Sequence, residues 1–366
     1  SSDMKHDSSI SSGSSPRQDS RFDEGKHADD HIVDDYELKR ILGKGHFGTV
    51  RLAQRISTGN YCALKMIEYN KGSDRQRELF RREVLAMESV KHENIVALQR
   101  TVYNAPFFGT NFLLLELEEC RGGELFDYIM HDGEFPEGVA KHYFRQLMDA
   151  MVACHQLGVY HRDLKPENIL LSGEPHYNLK LGDFGLAAVV ETSGVNTMDM
   201  DGIGASSGPQ AMLRTRCGTR AYQAPEIINA RPGGGNIYEG ELVDVWSAGV
   251  VLFIMLLGNP PFEIAGRTPA PPHNFDWWYN ACRLNRHADF WLAHQRPPCP
   301  QVNSEPKQFI NRIFQDNPDR RARFTELTQD VWIHNPQSTW PPENVARYMS
   351  DRALAMRRTK EAEKLS

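Results

Sequence analysis

A glycine-rich segment early in the sequence has the spacing of a phosphate-binding loop. Gly43, Gly45 and Gly48 follow the pattern G-x-G-x-x-G. Residues without a Cβ atom let the backbone approach phosphate oxygens and present N–H groups to them. A dinucleotide-binding loop would open a helix, whereas these glycines lie between two β-type runs. An ordinary glycine hairpin has the same spacing, so this pattern alone leaves both interpretations open.

A lysine and a glutamate further along form a candidate ion pair. Ala63 and Lys65 are two residues apart on a β-type run and therefore share one face of the strand. Glu83 lies on the apolar stripe of the next helix, with Phe80 and Met87, where an unpaired carboxylate would be costly to desolvate. Lys65 is its natural partner, and the pair would hold the ammonium group where it can bind nucleotide phosphates.

Three further segments place polar side chains in loops next to apolar runs. His161 to Asn168 precedes the strand-like run 169–171, and Asp183 to Gly185 follows the run 179–181. Ala224 to Glu226 comes later in the chain. An isolated Asp or Asn in a loop is usually a turn former. The presence of all three segments, in this order, favours a functional interpretation over that one.

With these motifs in order from about Tyr36 to His334, the chain resembles the eukaryotic protein kinases of serine/threonine type. The run from Glu118 to Phe126 resembles the calcium/calmodulin- and AMP-regulated kinase group. The resemblance implies an α+β fold of two lobes, a small β-rich N-lobe and a larger, mainly helical C-lobe. It also implies transfer of the γ-phosphate of ATP to serine or threonine hydroxyls of protein or peptide substrates.

The family resemblance assigns roles to the loop residues. Asp163 would orient the substrate hydroxyl and accept its proton, and Lys165 would neutralise charge on the transferred group. Asn168 and Asp183 would hold Mg²⁺, a hard cation that prefers oxygen ligands. Lys65 would contact the α- and β-phosphates, so ATP and Mg²⁺ are the expected cofactors.

The resemblance further implies a nucleotide pocket between the lobes. Adenine would lie against three apolar side chains and bond to the backbone of a linker, and the residues concerned are Val50, Ala63, Leu170, Glu118 and Cys120. Glu124 would contact the ATP ribose. Together with Glu167, it also matches positions where related kinases bind basic residues upstream of the acceptor, and these two roles of Glu124 are compatible.

A threonine in the activation segment is a candidate switch. Thr215 lies four residues before Thr219 and matches the position at which relatives are activated by phosphorylation. The adjacent Arg162 and Asp163 imply a cationic pocket for that phosphate. We therefore expect an upstream activating kinase. The alternative is that Thr215 is an unmodified surface residue.

The elements that position these residues divide the chain into three parts. Residues 1–32 are rich in Ser and Asp and predict a disordered tail. Residues 36–334 predict the kinase domain, with the N-lobe at 36–118, the C-lobe at 121–334 and the activation segment at 183–226. Residues 335–366 form a C-terminal extension, whose charged helical segment favours a plain solvated helix over a calmodulin-binding or autoinhibitory one.

Composition restricts the remaining possibilities. The formal charge of −6 argues against a nucleic-acid partner. The six scattered cysteines favour a reduced, cytoplasmic or nuclear location, and the longest apolar run is too short to span a membrane. Two rivals remain, a pseudokinase scaffold that binds nucleotide without turnover and a small-molecule kinase. The retained acidic and lysine residues argue against the first, and Ala224 to Glu226 argues against the second.

Overall fold

The structure is a computed structural model that describes residues 31–45, 48–68, 74–190, 212–213, 219–229, 238–266, 276–295 and 299–365. Its amino-terminal part contains six strands and one helix, in this order: β1 (Ile32–Val33), β2 (Tyr36–Gly45), β3 (Gly48–Arg55), β4 (Tyr61–Glu68), α1 (Asp74–Ser89), β5 (Leu98–Phe107) and β6 (Thr110–Leu117).

The six strands form one antiparallel sheet in the order β1-β2-β3-β4-β6-β5. Strands β2 and β3 are the β-type runs on either side of the glycine-rich segment, and β4 is the run that carries Ala63 and Lys65. Helix α1 packs against this sheet through Phe80 and Val84, which contact Ile67 and Leu113 in a small apolar core. The stripe that carries Glu83 therefore faces the sheet, as the spacing of Phe80 and Met87 indicated.

The remaining part is mainly helical. Its first half contains β7 (Gly123–Glu124), α2 (Leu125–Asp132), α3 (Glu137–Gln156), β8 (Val159–Tyr160), β9 (Ile169–Leu171), β10 (Leu179–Leu181), β11 (Ala188–Val189), β12 (Met212–Leu213) and α4 (Pro225–Ile228). Its second half contains β13 (Tyr238–Glu239), α5 (Gly240–Leu257), α6 (Trp277–Arg283), α7 (His287–His294), α8 (Ser304–Ile313), α9 (Phe324–Leu327), α10 (Val331–His334) and α11 (Pro342–Leu365). The two-lobed α+β prediction is confirmed.

Helix α5 lies at the centre of the helical lobe. It is long and apolar enough to cross a membrane by length and composition, but 94% of that window is buried inside the protein. Its apolar side chains pack on all sides, and one carboxylate, Asp244, is fully buried among them. The helix is therefore a core element, and Gly258 in the left-handed region ends it.

Short two- and three-stranded ladders bring the loop motifs to one place. β10 pairs with β9, which pairs with β7, while β11 pairs with β8. The segment from His161 to Asn168 lies between β8 and β9, and Asp183 to Gly185 lies between β10 and β11. Both loops therefore leave the same pair of ladders on the side facing the β-rich lobe.

The C-terminal helix differs from the expectation of a plain solvated helix. Val345 and Met349 of α11 are fully buried, and Ala353 and Met356 are at most 8% exposed. These side chains recur at three- and four-residue steps and join the apolar core of the helical lobe. The solvated-helix interpretation is wrong for this face, and one charged side chain of the helix, Arg352, is also only 12% exposed.

Candidate active site

The predicted lysine–glutamate pair is present at the inner face of the sheet. Lys65 of β4 donates from Nζ to Glu83 Oε1 of α1 at 2.5 Å, and Nζ also lies 3.3 Å from Asp183 Oδ1. Glu83 is 2% exposed and Lys65 is 8% exposed. One ammonium group thus joins the N-lobe helix to the Asp183 segment of the C-lobe.

Burial disfavours the charged forms of Lys65, Glu83 and Asp183, whereas the attraction between their opposite charges favours them. Burial lowers the pKa of Lys65, but the Glu83 and Asp183 carboxylates raise it more, so the net pKa is above the ordinary value. Burial raises the pKa of Asp183, and the Lys65 ammonium is the largest of the neighbouring effects that together bring it below the ordinary value. Burial raises the pKa of Glu83 despite Lys65. Because two carboxylates face one ammonium, we take the Lys65 side chain to be charged at neutral pH.

Asp244 of α5 anchors the backbone of the segment that carries Asp163. Its carboxylate accepts hydrogen bonds from the N–H groups of His161 and Arg162 at 2.9 and 2.7 Å. His155, at the end of α3, lies 2.9 Å from the same carboxylate through Nε2. Asp244 therefore ties the segment from His161 to Asn168 to the central helix α5, and His155 adds a third contact.

Thr219 and Lys165 hold Asp163 in an almost fully buried position. Its Oδ1 accepts hydrogen bonds from Thr219 N at 2.7 Å and Thr219 Oγ1 at 2.9 Å, and its Oδ2 accepts one from Lys165 Nζ at 2.8 Å. Lys165 also donates to Thr219 Oγ1 at 2.9 Å. The contact of Thr219 with Asp163 was not predicted from the sequence.

His161 connects the two loops that carry the predicted metal ligands. Its Nδ1 accepts a hydrogen bond from Asp163 N at 3.3 Å, so Nε2 carries the hydrogen and donates to Gly182 O at 3.0 Å. Gly182 directly precedes Asp183. The ring of Phe184 packs edge-on against His161 with centroids 5.0 Å apart. The neutral imidazole therefore fixes the distance between the Asp163 and Asp183 segments.

Asn168 and Asp183 supply oxygen atoms suited to a hard cation. Asn168 Nδ2 donates to Asp163 O at 2.9 Å, which orients the amide and leaves Oδ1 to accept or to ligate. The Asp183 side chain is 48% exposed. Among the described residues, no group of three His, Cys, Asp or Glu side chains could hold a metal alone. Two oxygen ligands fit Mg²⁺, which takes its remaining ligands from water and phosphate.

Two residues at this junction have backbone conformations that are uncommon outside glycine. Arg162 has φ of +65° and Asp183 has φ of +55°. Such conformations are maintained only where surrounding contacts enforce them, and they occur often at functional sites. Arg162 also donates from Nε to Leu186 O at 2.8 Å. Its guanidinium is thus held beside the start of the activation segment.

The glycine-rich segment spans the end of β2 and the start of β3. At Gly48, a Cβ atom would come within 2.3 Å of Met66 O on β4, so a glycine is required here by the sheet itself. At Gly43, a Cβ atom would meet no described atom within 4 Å. Gly45 ends β2, and residues 46–47 are outside the described part of the chain. The β-hairpin placement excludes a dinucleotide-binding loop, which would open a helix.

The predicted adenine site lies where the two lobes meet. Val50 is paired with Lys65 across β3 and β4, and Ala63 is paired with Leu117 across β4 and β6. Leu170 on β9 is half-buried, like Val50 and Ala63. The Glu118 N–H donates to Ala97 O at 2.9 Å, so of its two backbone groups only the carbonyl remains for a nucleotide. Cys120 follows two residues later in the same linker.

Glu124 lies in an acidic cluster at the start of α2. It pairs with Leu170 across β7 and β9, next to the predicted adenine floor. Burial raises the pKa of the Glu124 carboxyl, and the carboxylates of Asp127 and Glu167 raise it further. Glu167 Oε2 is buried, and no described group lies within hydrogen-bonding distance of it. The cluster would gain from a cationic ligand.

Within the activation segment, the structure describes residues 183–190, 212–213 and 219–226. Thr215 lies outside the described residues. At the far end, Glu226 forms a bidentate pair with Arg321 at 2.8 and 3.0 Å, and Arg321 is stacked 4.9 Å from the Trp246 ring. This pair anchors the end of the activation segment to the helical lobe.

The two lobes and the convergence of these loops are those of the protein kinase class. A model of the protein kinase domain family matches residues 36–333, and the chain belongs to that family. CBL-interacting protein kinase 8 of Oryza sativa subsp. japonica is 33% identical over 308 residues, 82% of this chain and 58% of its own length. CBL-interacting serine/threonine-protein kinase 24 of Arabidopsis thaliana is 36% identical over 302 residues, 82% of this chain and 58% of its own length.

The chain spans about three fifths of the length of these curated relatives. Their names support the serine/threonine type and the calcium/calmodulin- and AMP-regulated group indicated by the motifs. The pseudokinase alternative has no support among them.

Proposed function

We propose that this chain is an ATP-dependent serine/threonine protein kinase with Mg²⁺ as its metal. The observation that carries the proposal is the convergence of five polar side chains from four separate elements. Lys65 contacts both Glu83 and Asp183, and Asn168 contacts Asp163. A scaffold or a glycine hairpin would need none of these contacts.

The chain's own residues divide the work of phosphoryl transfer. Asp163 has its carboxylate oriented by Thr219 and Lys165, so it can align a substrate hydroxyl and take its proton. Lys65, fixed by Glu83, offers its ammonium to the triphosphate. Asn168 and Asp183 would hold the Mg²⁺, which offsets negative charge on the phosphate oxygens when bound.

Transfer to a peptide in the presence of Mg²⁺ and ATP tests this proposal. The full chain should phosphorylate a serine peptide, and Asp163→Asn should abolish transfer while retaining nucleotide binding, because the amide cannot accept the proton. Nucleotide binding without transfer, even after phosphorylation of Thr215, would favour a scaffold. Transfer to a small metabolite but to no peptide would favour a small-molecule kinase.

We further propose a preference for substrates with basic residues upstream of the acceptor. The acidic cluster of Glu124, Asp127 and Glu167 supports this, because burial disfavours the charge of Glu124 and leaves Glu167 Oε2 without a hydrogen-bond partner among the described residues. The cation beside the cluster, Lys360, is 63% exposed and lies 3.8 Å from Asp127. A bidentate arginine would relieve the cost of burying these carboxylates.

Matched peptides with arginine or alanine upstream of the serine test the preference. Glu124→Gln should raise KM for the arginine peptide by about tenfold, the value of one charge-assisted hydrogen bond, and should change KM for the alanine peptide little. Glu119→Gln is a suitable control, because Glu119 precedes Glu124 in the linker between the lobes and pairs with the exposed Arg121 at 3.0 Å. Equal effects of Glu124→Gln on both peptides would contradict the preference.

Activation by an upstream kinase at Thr215 and a cytoplasmic or nuclear location complete the proposal. The position of Arg162, held beside the activation segment by Leu186, supports the first. The five cysteines in the described residues, all of them unbridged, support the second. Phosphatase treatment should lower activity in the wild type and leave Thr215→Ala unchanged, and equal loss in both would remove Thr215 from the account.

A further inference from the structure

The C-terminal helix α11 contacts the end of α2 through a nearly buried arginine. Arg352 donates from its two terminal nitrogens to four backbone carbonyl groups at the end of α2, and its side chain is only 12% exposed. The acceptors are the oxygens of Tyr128, Asp132, Gly133 and Glu134, at 3.3, 3.2, 3.0 and 3.0 Å. A helix leaves its last carbonyl groups without intrahelical donors, so Arg352 acts as a cap supplied by a distant element.

The guanidinium is fixed in place from several sides. The rings of Phe135 and Tyr348 lie 5.0 and 4.9 Å from it, and Asp132 Oδ2 is 3.8 Å from Nε. A fixed positive charge at the carboxyl end of α2 also complements the helix dipole. Because Arg352 is rigid and nearly buried, the position of α2 depends on α11.

Tyr128 of α2 links Arg352 to the turn that precedes Glu124. Tyr128 is 2% exposed, accepts from Arg352 through its carbonyl and donates from its hydroxyl to Gly122 O at 2.8 Å. Gly122 donates to Leu171 O at 3.0 Å, and a Cβ atom there would lie 2.6 Å from Leu171 Cβ. The turn before Glu124 therefore packs tightly against β9, the strand that carries Leu170.

We propose that Arg352 is a positioning residue for the nucleotide site. It fixes Tyr128, which fixes the turn at Gly122 and thereby the relative placement of Glu124 and Leu170. This inference rests on the proposed kinase function, since it concerns the same nucleotide site. On this account α11 helps to position the nucleotide site, although no side chain of α11 needs to contact ATP.

Binding of ADP with Mg²⁺ to the full chain, followed by calorimetry, tests the inference without requiring turnover. Arg352→Ala should weaken ADP binding by about fivefold, at the lower end of coupling between separate sites. Tyr128→Phe, which removes only the hydroxyl, should weaken it by a similar factor. The matched control is Arg358→Ala, because Arg358 lies on the same helix, is exposed and forms no ion pair with a described residue. The affinity of this control variant for ADP should stay within about twofold of the wild-type value.

The double variant distinguishes a shared route from two independent effects. If Arg352 acts through Tyr128, the combined variant should lose no more affinity than Arg352→Ala alone. Additive losses, or unchanged affinity in Arg352→Ala, would overturn the inference. If Arg352→Ala does not fold, Arg352→Lys, which keeps the charge but not the planar fork, takes its place in the same cycle. A wild-type chain that binds no ADP would instead contradict the proposed function.

Discussion

Neutralising Glu83 should separate the alignment of Lys65 from the stability of the fold. In Glu83→Gln the amide keeps the shape of the side chain but has no negative charge. Asp183 is then the one carboxylate of this pair that still attracts the Lys65 ammonium. Lys65 Nζ is 2.5 Å from Glu83 Oε1 and 3.3 Å from Asp183 Oδ1, so we expect the ammonium to shift toward Asp183. The loss of one charge-assisted hydrogen bond, about 1.5–3 kcal/mol, corresponds to a fall in kcat/KM of about 10- to 150-fold.

Stability should change much less than activity. Helix α1 is attached through Phe80 and Val84, which pack on the sheet whether or not Glu83 is charged. The assay is therefore peptide phosphorylation over a range of ATP concentrations, with thermal unfolding of each variant. A positioning role predicts a fall in kcat at saturating ATP, with partial recovery in Glu83→Asp.

A matched control lies one turn away on the same helix. Glu78 pairs with Arg82 at 3.1 Å, is 44% exposed, and Glu78→Gln makes the same chemical change at the surface. It should leave kcat/KM within about twofold of the wild type, because exposed pairs contribute little. Wild-type activity in Glu83→Gln, or equal losses in both variants, would refute the reasoning.

Glu226→Gln should lower the free energy of unfolding by about 3 kcal/mol in urea titration, because it leaves the fully buried Arg321 without its counter-charge. Stability should also fall as pH drops below about 6.5. Burial lowers the pKa of His294, whose Nε2 donates to Pro261 O. Below pH 6.5 the folded state therefore binds fewer protons than the unfolded state. The fall should be shallower in His294→Gln. Cys120 should alkylate with iodoacetamide about a thousandfold more slowly than a thiol of ordinary pKa, because burial raises its pKa to about 12.

Each of these expectations has a result that would contradict it. For the Glu226→Gln prediction, the exposed pair of Asp289 and Arg286, 2.7 Å apart, is the reference. Asp289→Asn should lower the free energy of unfolding by less than about 0.5 kcal/mol. An equally small loss in Glu226→Gln would contradict the role of the buried pair. The same pH slope in wild type and His294→Gln would remove that histidine from the acid response. Rapid labelling of Cys120 at neutral pH would show that its thiol is not desolvated.

The sequence predicted the pairing of Lys65 with Glu83 because two periodicities converge there. A strand repeats its faces every two residues and a helix every 3.6, so a charged residue on each apolar face must find a partner. The roles of Asp163 and Asp183 were available only through resemblance, since a loop has no periodicity. Their contacts, including the one from Thr219, depend on chain folding that no local pattern encodes.

The C-terminal helix shows a different limit of sequence reasoning. Arginines that alternate with apolar residues are compatible with a solvated helix, and the charge pattern around Arg352 favoured that interpretation. Whether such a helix is solvated depends on a complementary surface elsewhere in the chain. Here the surface is the exposed end of α2, with its row of carbonyl groups, which becomes visible only once α2 and α11 are placed together.

The buried carboxylate of Asp244 explains why the junction of the two loops can hold uncommon backbone conformations. A positive φ at Arg162 and at Asp183 costs about 1–3 kcal/mol each, so other contacts must offset it. Asp244 accepts from the N–H groups of His161 and Arg162, and His161 in turn donates to Gly182, next to Asp183. A helix as apolar as α5 can keep one carboxylate in its core only because these donors satisfy it, and in doing so it holds both loops at the spacing that phosphate transfer requires.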